Sequence, residues 1–136
     1  MVDVDFMILA DDAQIVNERL YLLGGGVNLL GLSSFPFTIP PLAAVFRFRV
    51  PWPDTDKPFT YSLDVLDPQG APLSKRNPDT TLRAARSHHL PEGEDHYIAD
   101  RMCFLNLTFQ QPGPHPFVLS VNDRESKRLV LWVTTV

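Results

Sequence analysis

The chain has 136 residues, enough for one domain, residues 1–136, with a core of its own and no need of disulfides or metals as staples. Its single cysteine, Cys103, excludes an intramolecular disulfide and with it a disulfide-framed secreted scaffold, so a reducing cytoplasm is the expected setting. A net charge of −4 argues against a general affinity for nucleic acid or anionic membrane, and the absence of a signal-like start or of an apolar run near about 20 residues argues against export and membrane spanning.

Thirteen prolines leave little room for helix, because proline removes a backbone donor and clashes with the preceding turn. Strands are expected instead. Val4, Phe6, Ile8 and Ala10 alternate with Asp3, Asp5 and Met7, and a turn near Asn17-Glu18 returns the chain through Leu20 to Leu23. Gly24 to Gly26 lack the Lys-Ser/Thr of a phosphate loop, and Leu29 stands where a dinucleotide fingerprint needs its last glycine. They predict a sharp corner or bulge with φ > 0. A short strand over 27–31 follows. The proline-bound stretch 35–42 cannot all be regular strand and is expected to lie over the fold or to serve self-association.

The alternation is clearest in 44–50, where Ala44, Phe46, Phe48 and Val50 oppose Arg47 and Arg49 until Pro51 ends the ladder, and in 59–65 before the turn Asp67-Pro68-Gln69-Gly70. Residues 77–89 suit an edge strand better than a helix capped by Asp79, since their neighbours are strands. Cys103, Leu105, Leu107 and Phe109 predict one strand with an inert core thiol, and Phe117, Leu119 and Val121 predict another after the break at 111–114. A turn at 122–126 leads into 129–136, whose two apolar faces imply a central position. The sum is all-β: an antiparallel two-sheet sandwich, Ig-like or jelly-roll-like, of about eight or nine strands with little or no helix.

The stretch from Phe6 through Leu9-Ala10-Asp11, followed by Arg19-Leu20-Tyr21-Leu22-Leu23-Gly24-Gly25-Gly26, resembles a family of uncharacterised bacterial domains. Their pattern is a strand ending in Leu-Ala-Asp and then Lys-Leu-Tyr-x-x-Gly-Gly-Gly. Arg19 takes the basic position, and Val27 stands where a tryptophan often follows the glycines. The resemblance implies a bacterial cytoplasmic β-sandwich with no assigned activity.

No catalytic constellation emerges: Ser33 and Ser34 lack the nucleophile elbow, and Asp3 and Asp5, about 7 Å apart on one strand face, read most simply as a solvated face. His88, His89, Glu92 and His96 are the densest set of potential metal ligands, weighed against a solvated acidic loop. Asp11 and Asp12, together with Asp54 and Asp56, have the oxygens a calcium loop needs if the loops meet. Trp52, between Pro51 and Pro53, either caps the core or anchors a partner or sugar ring. Arg47 and Arg49 have the charge for a local anion patch if Arg83 and Arg86 lie near them, weighed against the usual role of exposed sheet arginines in deterring edge pairing. The expected function is a non-enzymatic interaction or assembly module without a cofactor, engaging an unknown protein partner or its own copies. The alternative is a carbohydrate- or calcium-binding sandwich using Trp52 and the acidic loops, and the third reading is a hydrolase with a dispersed site.

Overall fold

The computed structural model describes residues 1–73 and 79–136, and the first residues of the expected 77–89 edge strand, Asn77 and Pro78, lie outside that range. Among the described residues the chain is all-β with one short 3-10 turn, Trp52–Asp54. The described residues form twelve strands in four hydrogen-bonded sheets, where about eight or nine strands in two sheets were expected.

One sheet places β6 (Leu42–Val50) between β1 (Asp3–Ala10) and β9 (His96–Phe104), all antiparallel. The largest runs in the order β4 (Leu29–Leu32), β12 (Arg124–Thr135), β11 (Gly113–Val121), β7 (Pro58–Val65) and β8 (Thr80–Arg83). Here β4 and β12 are parallel, a departure from the expected all-antiparallel pairing. The crossover is made by the three glycines. Gly24 and Gly26 hold φ of +64° and +93°, and Gly26 and Val27 donate to the Leu9 carbonyl as the chain passes from one sheet to the other. The remaining pairs are the hairpin of β2 (Asp12–Val16) with β3 (Arg19–Leu23), and β5 (Phe37–Thr38) with β10 (Thr108–Phe109).

Alternation explains the core. Phe46 and Phe48 point inward from β6 and meet Phe59 and Tyr61 of β7, with ring centroids 4.9 to 5.5 Å apart across the group. Phe104 meets Phe117 edge to face at 5.7 Å. Such pairs add about 0.5–1.5 kcal/mol each beyond their buried area. On the other face of β6, Ala43 and Val45 are buried under Ala13, Leu20 and Leu22 of the β2–β3 hairpin, so β6 is covered on both sides over its first half.

Both two-residue hairpins follow the handedness of strand twist. Asn17 and Glu18 have φ of 51° and 63°, and Asn122 and Asp123 have 48° and 63°, the paired positive values of a turn that suits right-handed ribbons. The second turn is therefore shorter than the expected 122–126, and β12 begins at Arg124. The expected break at 111–114 is found at residues 110–112 and ends sooner, because Pro114 and Pro116 lie within β11. Pro116 accepts from Leu66 on the side where the registered pairing with β7 has ended, so its missing N–H interrupts no ladder.

The expected strand from Cys103 to Phe109 divides. Met102 and the buried Phe104 set the inward face of β9, which turns Cys103 to solvent, and the chain bends at residues 105–106 before β10. Cys103 is thus exposed, not an inert core thiol; Arg101 Nη1 donates to its sulfur at 2.7 Å. An edge strand lies within the expected stretch but is shorter: β8 covers Thr80–Arg83 and closes one end of the largest sheet, while residues 84–89 are not strand. Among the described residues no helix is long and apolar enough to cross a membrane.

Candidate binding cleft

Among the described residues the two larger sheets have four margins that could pair with another chain, and three are blunted. β1 carries a bulge between Val4 and Phe6, and its Leu9 carbonyl is taken by the glycine crossover. β4 and β8 are only four residues long, too short to template a long added strand. The fourth margin is β9, nine residues long, and among the described residues its backbone pairs only with β6.

A cavity of about 820 Å³ opens on that margin. Four consecutive residues of β9, His96 to Ala99, line it. Side chains of consecutive strand residues point to opposite faces, so a cavity touching all four borders the backbone edge. The opposite wall is Arg83 to Ala85, at the end of β8 and just beyond it, and the hairpin overhangs with Glu18, Arg19 and Leu20. The Arg101 amide donates to the Asp100 carboxylate at 2.8 Å and not to β6, and backbone groups alternate in direction along a strand. The amides of Tyr97 and Ala99 therefore also face the open edge.

On the outer face beside this edge, the Arg47 guanidinium lies 4.2 Å from the Tyr97 ring centroid and 5.4 Å from that of Phe6, and it is held by Asp5 at 2.5 Å. Arg49 sits between Asp3 at 2.5 Å and Asp95 at 3.1 Å, and its hydrogen bond to Asp3 above all holds it charged. Arg47 and Arg49 therefore each carry a carboxylate partner. Asp3 and Asp5 in turn are separated by the bulge and serve as those partners. Of the arginines expected to gather, Arg47 and Arg83 do line one cavity, whereas Arg86 stacks on Trp52.

Trp52 is half-buried. The Arg86 guanidinium carbon lies 3.9 Å from its ring centroid, and Arg86 also donates to the Trp52 carbonyl and to Thr55 Oγ1 at 2.9 and 2.8 Å. His96 packs nearby at 6.0 Å. The acidic loops stay apart: Asp54 pairs with the Met1 amino group at 2.8 Å, and Asp56 accepts from the Arg86 amide and faces Arg83 at 3.5 Å. Asp11 and Asp12 lie past the far end of β1, about 23 Å away by strand rise. The histidines disperse as well. His96 is buried, its Nε2 accepting from the Ser87 amide at 2.9 Å, while His88, His89 and Glu92 are exposed. No three His, Cys, Asp or Glu side chains among the described residues are grouped to hold a metal.

Residues 5–134 match the model of a family of unknown function, DUF6941. The chain belongs to that family. The uncharacterised-family resemblance read from the sequence is thereby met, and no curated protein matches the chain. Within this DUF6941 domain, the cleft residues Arg19, Tyr97 and Ala99 went unnoticed in the sequence as site residues. They sit in ordinary alternating segments, and only the meeting of the hairpin with β9 sets them together.

Proposed function

We propose that this DUF6941 domain is a non-enzymatic interaction module that receives an extended segment of a partner protein along the free edge of β9. The carrying observation is that His96 to Ala99 border a cavity with their backbone edge, in the longest margin left unpaired among the described residues. Strand addition draws affinity from main-chain hydrogen bonds and selectivity from pockets for alternate side chains. Here the amides of Tyr97 and Ala99 supply the first and the flanking walls the second.

The test is selection of short random peptides displayed on phage against the folded domain, followed by amide exchange of the protein with each selected peptide. Slowed exchange at Tyr97 and Ala99 supports the reading. Peptides that leave these amides unprotected, or no enrichment at all, defeat it.

Self-association has a separate footing. Leu29 and Trp132 are partners in the parallel β4–β12 pair, on the outward face, and are 58% and 51% exposed. Light scattering of the wild-type chain beside Trp132→Glu tests it, and a monomer in both would remove it. The carbohydrate or calcium reading has less to rest on, since Trp52 lies against Arg86 and the acidic loops are far apart.

A further inference from the structure

The occupant's chemistry follows from the walls of the cleft, given the strand-edge reading above. We infer that the segment received by β9 is acidic and comes from a partner protein. Arg19, Arg47 and Arg83 reach the cavity from three different elements, against one carboxylate, Glu18. Asp5 and Asp56, the partners of Arg47 and Arg83, are not part of the lining, so an occupant meets guanidinium groups first. Arg19, exposed at the hairpin turn, has no ion-pair partner among the described residues. Such a gathering on a chain of net charge −4 runs against the overall composition, which makes it a local feature.

The geometry suits both faces of an added strand. Alternate side chains of a segment paired with β9 project to opposite sides, one set toward Arg47, Tyr97 and Arg19, the other toward Arg83. An Arg fork donates two N–H groups to a carboxylate, and each guanidinium keeps donors beyond those its present partner occupies. The recess favours a single chain over a second copy of this domain. The hairpin and residues 83–85 stand on either side of the edge and obstruct a whole sheet approaching β9.

Three capped peptides test the assignment: Thr-Glu-Val-Glu-Val-Glu-Thr and its versions with Gln or Lys in place of Glu. Titration calorimetry and amide exchange are read on the full chain. The Glu peptide is expected to bind about tenfold more tightly than the Gln peptide, the combined effect of a few partly exposed ion pairs, with the Lys peptide weakest. The preference should fade as salt is raised from about 0.1 M to about 1 M, where the screening length falls from about 10 Å to about 3 Å. Arg19→Glu, at an exposed turn, should diminish the preference while leaving the melting temperature unchanged. Equal binding of the Glu and Gln peptides, with Tyr97 and Ala99 protected, overturns the acidic assignment and leaves the strand-edge reading standing. If neither these nor the selected peptides protect the two amides, both fail. A dimer formed through β9 that shuts out every peptide overturns the inference in favour of a second copy.

Discussion

The Tyr61 hydroxyl on β7 donates to the Asp100 carboxylate on β9 at 2.5 Å, a side-chain link between the two larger sheets beside the margin where β8 and β9 end them. Burial, reinforced by this bond, raises the phenol above its ordinary range. Tyr61→Phe leaves the half-buried carboxylate short of a donor and should cost about 1–3 kcal/mol in urea denaturation. The folded chain keeps the phenol neutral while an unfolded tyrosine ionises near about pH 10, so this stability is complete below that pH and is lost as pH rises through the folded value. The Phe variant should show less of that alkaline loss, and an identical alkaline profile would argue against the link.

Arg86 holds Trp52 by ring stacking and by donation to the backbone of the turn. Arg86→Ala should cost about 1 kcal/mol and shift tryptophan emission to the red as the ring gains water. Arg86→Lys restores the charge without the planar fork, so it should recover only part of the loss. Unchanged emission in the Ala variant would mean that Trp52 is covered by something else.

His115 is fully buried, with Nδ1 donating to the Gly113 carbonyl at 2.9 Å and the Phe109 ring edge-on at 4.8 Å. Its Nε2 is the one buried side-chain N or O atom without a partner among the described residues. Burial lowers its proton affinity below that of an ordinary histidine. Unfolded chains therefore bind the proton first: the stability is complete above about pH 6.5 and drains away as pH falls toward the folded value. Comparing urea midpoints of wild type and His115→Leu at pH 7.5 and 5.5 should show a larger acid loss in wild type.

Metals should not matter to this fold. His88, His89 and Glu92 are exposed and apart from the engaged His96, and Asp54 and Asp56 are each paired with a cation. Zinc, calcium or a chelator should leave the melting temperature where it is. A rise of several degrees with either metal would reveal a site that the side-chain geometry lacks.

Gly24 stands against the Asp11 carboxylate, where an added Cβ would collide, and holds positive φ. Gly24→Ala should cost about 1–2 kcal/mol through the left-handed backbone alone. Gly26, also at positive φ but with open space around it, should lose a similar amount or less. Thermal melts of the two variants distinguish backbone strain from collision, since only the Gly24 variant should recover in part when Asp11 is shortened to Ala.

What the sequence determined by itself was local. Strict alternation in 44–50 and 59–65 marked β6 and β7, Asn17-Glu18 marked a hairpin, the triple glycine marked a corner, and the neighbours of Thr80 to Arg83 marked an edge strand. Each of these depends on residues a few positions apart, where side-chain period and backbone preference act directly. The tertiary structure alone decided that β4 lies parallel to β12, that Cys103 faces water, and that the acidic loops stand at opposite ends of β1. It alone brought Arg19, Arg47, Arg83 and the edge of Tyr97 to Ala99 around one cavity. Pairing partners and register depend on contacts between residues far apart in the chain, and a one-residue choice of register turns a whole face from core to solvent.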